Sequence, residues 1–132
     1  MSLAFIHGRL DDTSSLFIAA IGICALYSRI RSQPLSGGWF GAAVIAEILL
    51  IVQVALGTIL FLGSSSGVLP RPFIHILYGI TAVITLPAAY TYISRNDDEN
   101  ALSMAMVFVC IFLWFLIDRT AWNAVNLPPG FP

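Results

Sequence analysis

Four long apolar runs, separated by short polar stretches, dominate the hydrophobic pattern of this 132-residue chain. A membrane-spanning helix needs about 20 mostly apolar residues, whereas membrane strands are shorter and alternate in polarity. The pattern therefore predicts an all-α membrane protein with a single domain, folded as a four-transmembrane-helix up-down-up-down bundle. The predicted helices cover about residues 13–30, 39–62, 73–93 and 101–117.

Polar and turn-forming stretches mark the helix ends. SQPLSGG separates the first two runs, GSSSGVLPRP the next two, and SRNDDEN the last two. Pro72 suits the first turn of a helix, where its missing N–H costs nothing. The first run is short, and its helix can extend upstream through LAFIHGRL.

Composition supports the membrane assignment and narrows the partners. The chain is 58% hydrophobic and 10% charged, whereas soluble domains carry roughly 25% charged residues. A net charge of −1 without a basic run argues against nucleic acid as a partner. We expect the lipid bilayer and other membrane subunits as partners, with the inner (cytoplasmic) membrane as the location in a bacterium.

The predicted topology defines two membrane faces. Side A holds both chain termini and the loop 63–72, and side B holds the other two loops. Each side carries three of the six arginines, and Arg29 and Arg31 close to a helix end favour side B as the cytoplasmic face. Trp39 and Tyr90 are expected at the side-B interface, where such residues commonly anchor helices.

Glu47 interrupts the second apolar run about eight residues after its start. A carboxyl group at membrane depth is costly unless it is paired, and such residues are often functional. One interpretation is a bond to Tyr90, Thr91 or a nearby arginine of the same bundle. The alternatives are a proton-relay or quinone contact, and a contact with another subunit.

Other small and polar residues suggest how helices two and three pack. Gln53 lies near the middle of helix two, where a neutral amide commonly bridges helices. Gly57 is expected level with Gly79 of helix three, so that the two backbones approach closely. The cysteines, Cys24 and Cys110, lack metal-ligand spacing and are expected to be packing residues.

The two histidines, His7 and His75, raise the main functional question. Both precede or open helices that start on side A, so they lie at the same membrane face. A bis-histidine haem b needs imidazoles from two helices and bare backbone beside them. Gly79 lies one turn below His75, and Asp11 lies one turn from His7, where its carboxylate is placed to accept the second imidazole N–H.

Depth decides whether the two histidines meet. If helix one begins near residue 13, His7 lies about 9 Å farther out at 1.5 Å per residue. If it begins near Leu3, the rings can face each other. The competing interpretation is that both are structural histidines at the interface. In either case His75 is expected to face the bundle, because an imidazole in hydrocarbon loses its hydrogen-bond partners.

The motifs HGRL, QVALG and FIHILYG, in that order, resemble small four-helix transmembrane cytochrome b modules. The most similar pattern is the half-repeat of haem A synthase, in which Q-x-x-x-G precedes a histidine opening the next helix. The resemblance covers about residues 5–92 and implies His7 and His75 as haem ligands. The chain lacks the Glu before His7 and has one half rather than two. The resemblance thus implies a haem-b-like bundle, or its haem-free descendant, rather than an oxygenating enzyme.

Three functions follow from these features. The first is a small transmembrane subunit of a respiratory or photosynthetic electron-transfer complex, with a structural or accessory role that can include contact with haem b or quinone. The second is a self-standing bis-histidine cytochrome b. The third is a transporter or channel component that uses Glu47. None of the three requires catalytic activity of the chain's own.

Overall fold

Four helices make up nearly all of the computed structural model, which describes residues 2–65, 69, 71–95 and 98–128. All four are long and apolar enough to cross a membrane, and the described residues contain no strand. The predicted all-α four-helix fold is therefore confirmed, and the protein is an integral membrane protein. The helices are α1 (Leu3–Ile30), α2 (Gly37–Leu60, continued by the π-helical turn Phe61–Ser65), α3 (Pro72–Ile93) and α4 (Glu99–Asn126).

Helices α1 and α4 are longer than their apolar runs. The polar residues after His7 end the apolar run but not the helix. A helix is held by backbone hydrogen bonds, and polar side chains are compatible with them. Ser2 caps the start of α1, its Oγ accepting from the Phe5 N–H at 3.3 Å. Arg9 and Asp12 form an exposed pair one turn apart at 3.7 Å. The helix therefore begins at Leu3 instead of near residue 13.

The C-terminal end of α4 also extends beyond its apolar run. Asp118 and Arg119 end the apolar run, yet the helix continues to Asn126. The Arg119 guanidinium lies 5.0 Å from the centre of the Trp122 ring, so its charge is placed over an aromatic face. The helix therefore extends past residue 117, where the pattern placed its end.

Each helix packs against the next one along the chain, and α4 closes the bundle by packing against α1. In the described residues α1 and α3 have no close backbone contact, so they stand diagonally across the bundle. The closest approach is between α1 and α4, where a Cβ on Gly22 would lie 2.9 Å from the Cβ of Cys110. The buried centre of the bundle is formed mainly by Ile18, Leu50, Met106, Cys110 and Leu113.

Trp39 lies in the first turn of α2, at the side-B end of the bundle. Ser36 caps this turn by accepting from the Trp39 N–H at 3.1 Å. The Trp39 side chain is only 6% exposed, and its Nε1 donates to the backbone carbonyl of Ile21 at 2.8 Å. The indole therefore joins α2 to α1 inside the bundle.

We predict that Gly22→Ala destabilises the bundle. The new methyl group would overlap the Cys110 Cβ, which cannot rotate away as the end of a flexible side chain can. Overpacking of this kind costs about 1–3 kcal/mol. Thermal unfolding in detergent should show a clearly lower midpoint for the variant.

Gly8→Ala is the matched control, because a Cβ on Gly8 of the same helix meets no atom within 4 Å. In the double variant Gly22→Ala, Cys110→Gly, the second change should recover much of the loss, giving a favourable coupling energy. Equal unfolding midpoints for Gly22→Ala and Gly8→Ala would show that α1 and α4 do not pack closely at Gly22.

Candidate functional site

His7 and His75 meet inside the bundle near side A, although their helices stand diagonally opposite each other. The ring centres are 6.2 Å apart and the ring planes are inclined at 57°. The meeting depends on the early start of α1, which carries His7 as a helical residue to the level of His75. His75 faces the bundle interior, as its imidazole chemistry predicts.

Gly57 provides the bare backbone beside this pair. A Cβ on Gly57 would lie 3.2 Å from Cε1 of His7, so the missing side chain leaves room for the imidazole. Gly79 instead receives the side chain of Val54, whose Cγ2 would lie 3.3 Å from a Cβ at that position. The prediction that the two glycines face each other was wrong, because each accommodates a side chain of a neighbouring helix.

Asp11 does not support His7 as predicted. Its Oδ1 accepts a hydrogen bond from Nε2 of Gln53 at 3.3 Å, so the carboxylate joins α1 to α2. Among the described residues, the buried Nδ1 of His7 and the buried Oε1 of Gln53 have no hydrogen-bond partner. Gln53 is thus a bridge between helices, while His7 retains an unused ring nitrogen inside the protein.

A cavity of about 210 Å³ extends from the histidine pair into the bundle. All four helices contribute to its wall, which is mostly apolar. The hydroxyls of Ser14, Thr58 and Thr120 donate to carbonyls one turn earlier in their own helices. Their hydrogen bonds are therefore made locally, and the polar side chains that remain in the wall are His7, His75, Asp11, Gln53 and Tyr78.

Sequence reasoning missed the α4 wall of this cavity. Thr120 lies beyond the predicted end of the fourth helix, where charged residues interrupt the apolar run. A threonine two residues before Trp122, within a helix that continues past the charged residues, is the only signal that the sequence offers. Its place in the cavity follows from the packing of α4 against α3 and α1.

Glu47 lies outside this cavity, on the side-B half of α2. Its Oε2 is buried without a hydrogen-bond partner in the described part of the chain. Thr91 donates to the Pro87 carbonyl at 2.6 Å, and the Arg31 guanidinium lies 5.7 Å from the Tyr27 ring centre. The predicted bond from Glu47 Oε2 to neighbouring residues of the bundle is therefore absent there, and two of the candidate partners, Thr91 and Arg31, make other contacts.

We predict that Gln53→Leu weakens the bundle by about 1 kcal/mol, the usual size of a side-chain hydrogen bond between membrane helices. Leucine removes the donor to Asp11 and leaves a carboxyl group without its partner. Unfolding in detergent of Gln53→Leu, Asp11→Ala and the double variant measures the coupling. Strictly additive losses would mean that the bond between Asp11 and Gln53 contributes nothing to stability.

Comparison with known proteins adds no assignment: no family model, curated protein or solved structure matches this chain. The function is therefore inferred from the chemistry of the His7 and His75 pair, the cavity beside it, and the separate environment of Glu47.

Proposed function

We propose that this protein binds haem b between His7 and His75 and transfers electrons within the membrane. The observation that carries the proposal is the pair of imidazoles facing each other from diagonal helices, with ring centres 6.2 Å apart. The order of the motifs around the two histidines is consistent with it. The alternative is that the two histidines are structural and pack against each other; a reduced-minus-oxidised spectrum distinguishes the two interpretations.

The spacing of the rings fits axial ligation of one metal atom. An imidazole nitrogen binds a metal at about 2 Å, which places the metal about 3 Å from the ring centre. Two imidazoles on opposite sides of one metal therefore have ring centres about 6 Å apart. The rings of His7 and His75 already have about this separation.

The number of ligands favours haem over a bare metal ion. The described residues contain no group of three or more His, Cys, Asp or Glu side chains that would hold a metal ion. A structural zinc ion commonly needs four protein ligands. Haem brings its own equatorial nitrogens, so two histidines complete its coordination.

The surroundings also suit a cofactor, although the cavity is small. His7 has a buried nitrogen without a partner in the described residues, and Gly57 accommodates the His7 ring inside the bundle. The cavity of about 210 Å³ is below the roughly 300–1,000 Å³ typical of small-molecule sites. A macrocycle held here would therefore have to extend between the helices, or the helices would have to part slightly.

Haem bound at this site would supply one-electron transfer, with its potential tuned by the apolar wall and by hydrogen bonds to the ligating histidines. The described residues lie almost entirely in membrane helices. We therefore expect the electron donor and acceptor to be other membrane components. A subunit of a respiratory or photosynthetic complex fits this expectation best, and a self-standing cytochrome b is the alternative.

We predict a reduced-minus-oxidised spectrum typical of low-spin haem b for protein purified from haem-replete membranes in mild detergent. His75→Ala and His7→Ala should each lose this signal, because either change removes one axial ligand. Added imidazole should restore the six-coordinate spectrum of a variant that retains the haem, since it can fill the vacated position. Components that co-purify distinguish the complex subunit from the self-standing cytochrome.

Phe73→Ala is the matched control, since it removes a side chain that is 73% exposed on the same helix and should leave the spectrum unchanged. The proposal fails if wild-type protein isolated with its native partners shows no Soret absorbance. It also fails if haem is bound but both histidine variants keep the wild-type spectrum.

A further inference from the structure

We propose that a cleft around Glu47 and Pro87 binds the head group of a membrane quinol, an aromatic ring with two hydroxyl groups on an apolar tail. The cleft lies between α2 and α3 on the side-B half of the bundle, apart from the histidine cavity. This inference deepens the proposed electron-transfer function by naming the class of carrier. The binding argument itself uses none of the residues of the haem site.

To bind a quinol hydroxyl, the cleft needs a hydrogen-bond acceptor that has no partner within the protein. Oε2 of Glu47 is buried and has no partner in the described residues. A buried polar group without a partner costs free energy, and in a membrane water is not at hand to bond it. A ligand hydroxyl that donates to this oxygen would relieve that cost.

The second acceptor arises from Pro87, which lies inside α3. Proline has no backbone N–H, so the carbonyl one turn earlier, that of Val83, loses its usual helical donor. Val83, Pro87 and Glu47 all line the wider groove that adjoins the cleft. The groove therefore has acceptors on both of its helices, the Val83 carbonyl on α3 and Glu47 on α2.

Aromatic side chains form the inner wall. The cleft of about 330 Å³ is lined by Trp39, Phe40 and Tyr90 together with Glu47 and Pro87. Phe40 packs edge-on against both other rings, with centre separations of 5.4 Å to Trp39 and 5.6 Å to Tyr90. The bond from Trp39 to the Ile21 carbonyl holds this wall in place. Rigid aromatic walls of this kind pack well against a flat ring.

The cleft opens sideways toward the membrane. Glu47 and Pro87 also line a wider, shallower groove of about 590 Å³ that reaches Ile84 and Tyr92, which are 56% and 80% exposed. In a bilayer these residues face the lipid. A ligand can therefore place its ring at Glu47 while its tail remains among the lipid chains.

The chemistry of the cleft selects among membrane ligands. The unpartnered Glu47 oxygen can accept a hydrogen bond from a quinol hydroxyl, a donor that an oxidised quinone lacks. A fatty-acid carboxylate likewise offers no donor to this oxygen. A cation such as Ca²⁺ takes six to eight oxygen ligands, far more than Glu47 and one carbonyl provide. A quinol matches both the donors required and the aromatic walls.

The test uses the full-length protein in phosphatidylcholine nanodiscs and the fluorescent quinol analogue 2-heptyl-4-hydroxyquinoline N-oxide. We expect saturable fluorescence quenching by wild type and at least tenfold weaker binding by Glu47→Leu. Glu47→Gln keeps one acceptor oxygen and should bind between the two. Glu99→Gln makes the same charge change at an exposed position of α4 and should bind as wild type does.

Pro87→Ala provides a second variant. Alanine restores a backbone N–H that can donate to the Val83 carbonyl, and it is well tolerated inside a helix. It should weaken binding while leaving the bundle at least as stable. A decyl quinol should displace the probe, and its dimethyl ether, which lacks both donors, should not. Equal probe binding by wild type and Glu47→Leu, or equal displacement by the ether, would overturn the proposal and indicate a simple lipid groove.

The same titration on His75→Ala separates the two proposals. Retained, Glu47-dependent quenching in that variant supports the quinol cleft even if the protein proves to hold no haem. If binding is lost in His75→Ala while its unfolding midpoint is unchanged, the probe occupies the histidine cavity, and the assignment to Glu47 is wrong.

Discussion

Inside a bilayer every backbone N–H and C=O group must find its partner within the protein, and this constraint shapes the whole molecule. It makes each span a continuous helix and directs side-chain hydroxyls inward to their own backbone. Ser14, Thr58 and Thr120 all donate to carbonyls of the preceding turn. Helix α3 departs from the rule at Pro87, which leaves the Val83 carbonyl without its usual donor, and Val83 lines the same groove as Glu47, whose Oε2 has no partner in the described residues.

Helix α2 carries both candidate sites at different depths. Toward side A it contributes Gln53 and Gly57 to the histidine cavity, and toward side B it contributes Glu47 to the cleft with α3. At 1.5 Å per residue, Glu47 and Gly57 are about 15 Å apart along the helix axis. A small bundle can therefore hold two chemically distinct sites without their side chains competing for space.

The histidine pair lies in a bundle whose helices α1 and α4 pack closely. Gly22 lets the two backbones approach, and α1 continues as one helix from this contact to His7. On the opposite diagonal corner, α3 brings His75 to the same level. Bare backbone at Gly57 then leaves room for the His7 ring between them. The placement of the two imidazoles thus involves all four helices rather than either histidine alone.

The sequence by itself determined the number of helices, their up-down order and the shared membrane face of His7 and His75, because hydropathy over about 20 residues sets how a chain crosses a bilayer. It also identified Glu47 and Gln53, since polar groups in apolar runs are conspicuous. Only the tertiary structure decided which partners these groups have. Asp11 bonds Gln53 instead of His7, Trp39 lies in the core, and Gly57 faces His7. Such pairings depend on the rotation and length of each helix, and helix ends that run through charged residues leave no mark in the hydrophobic pattern.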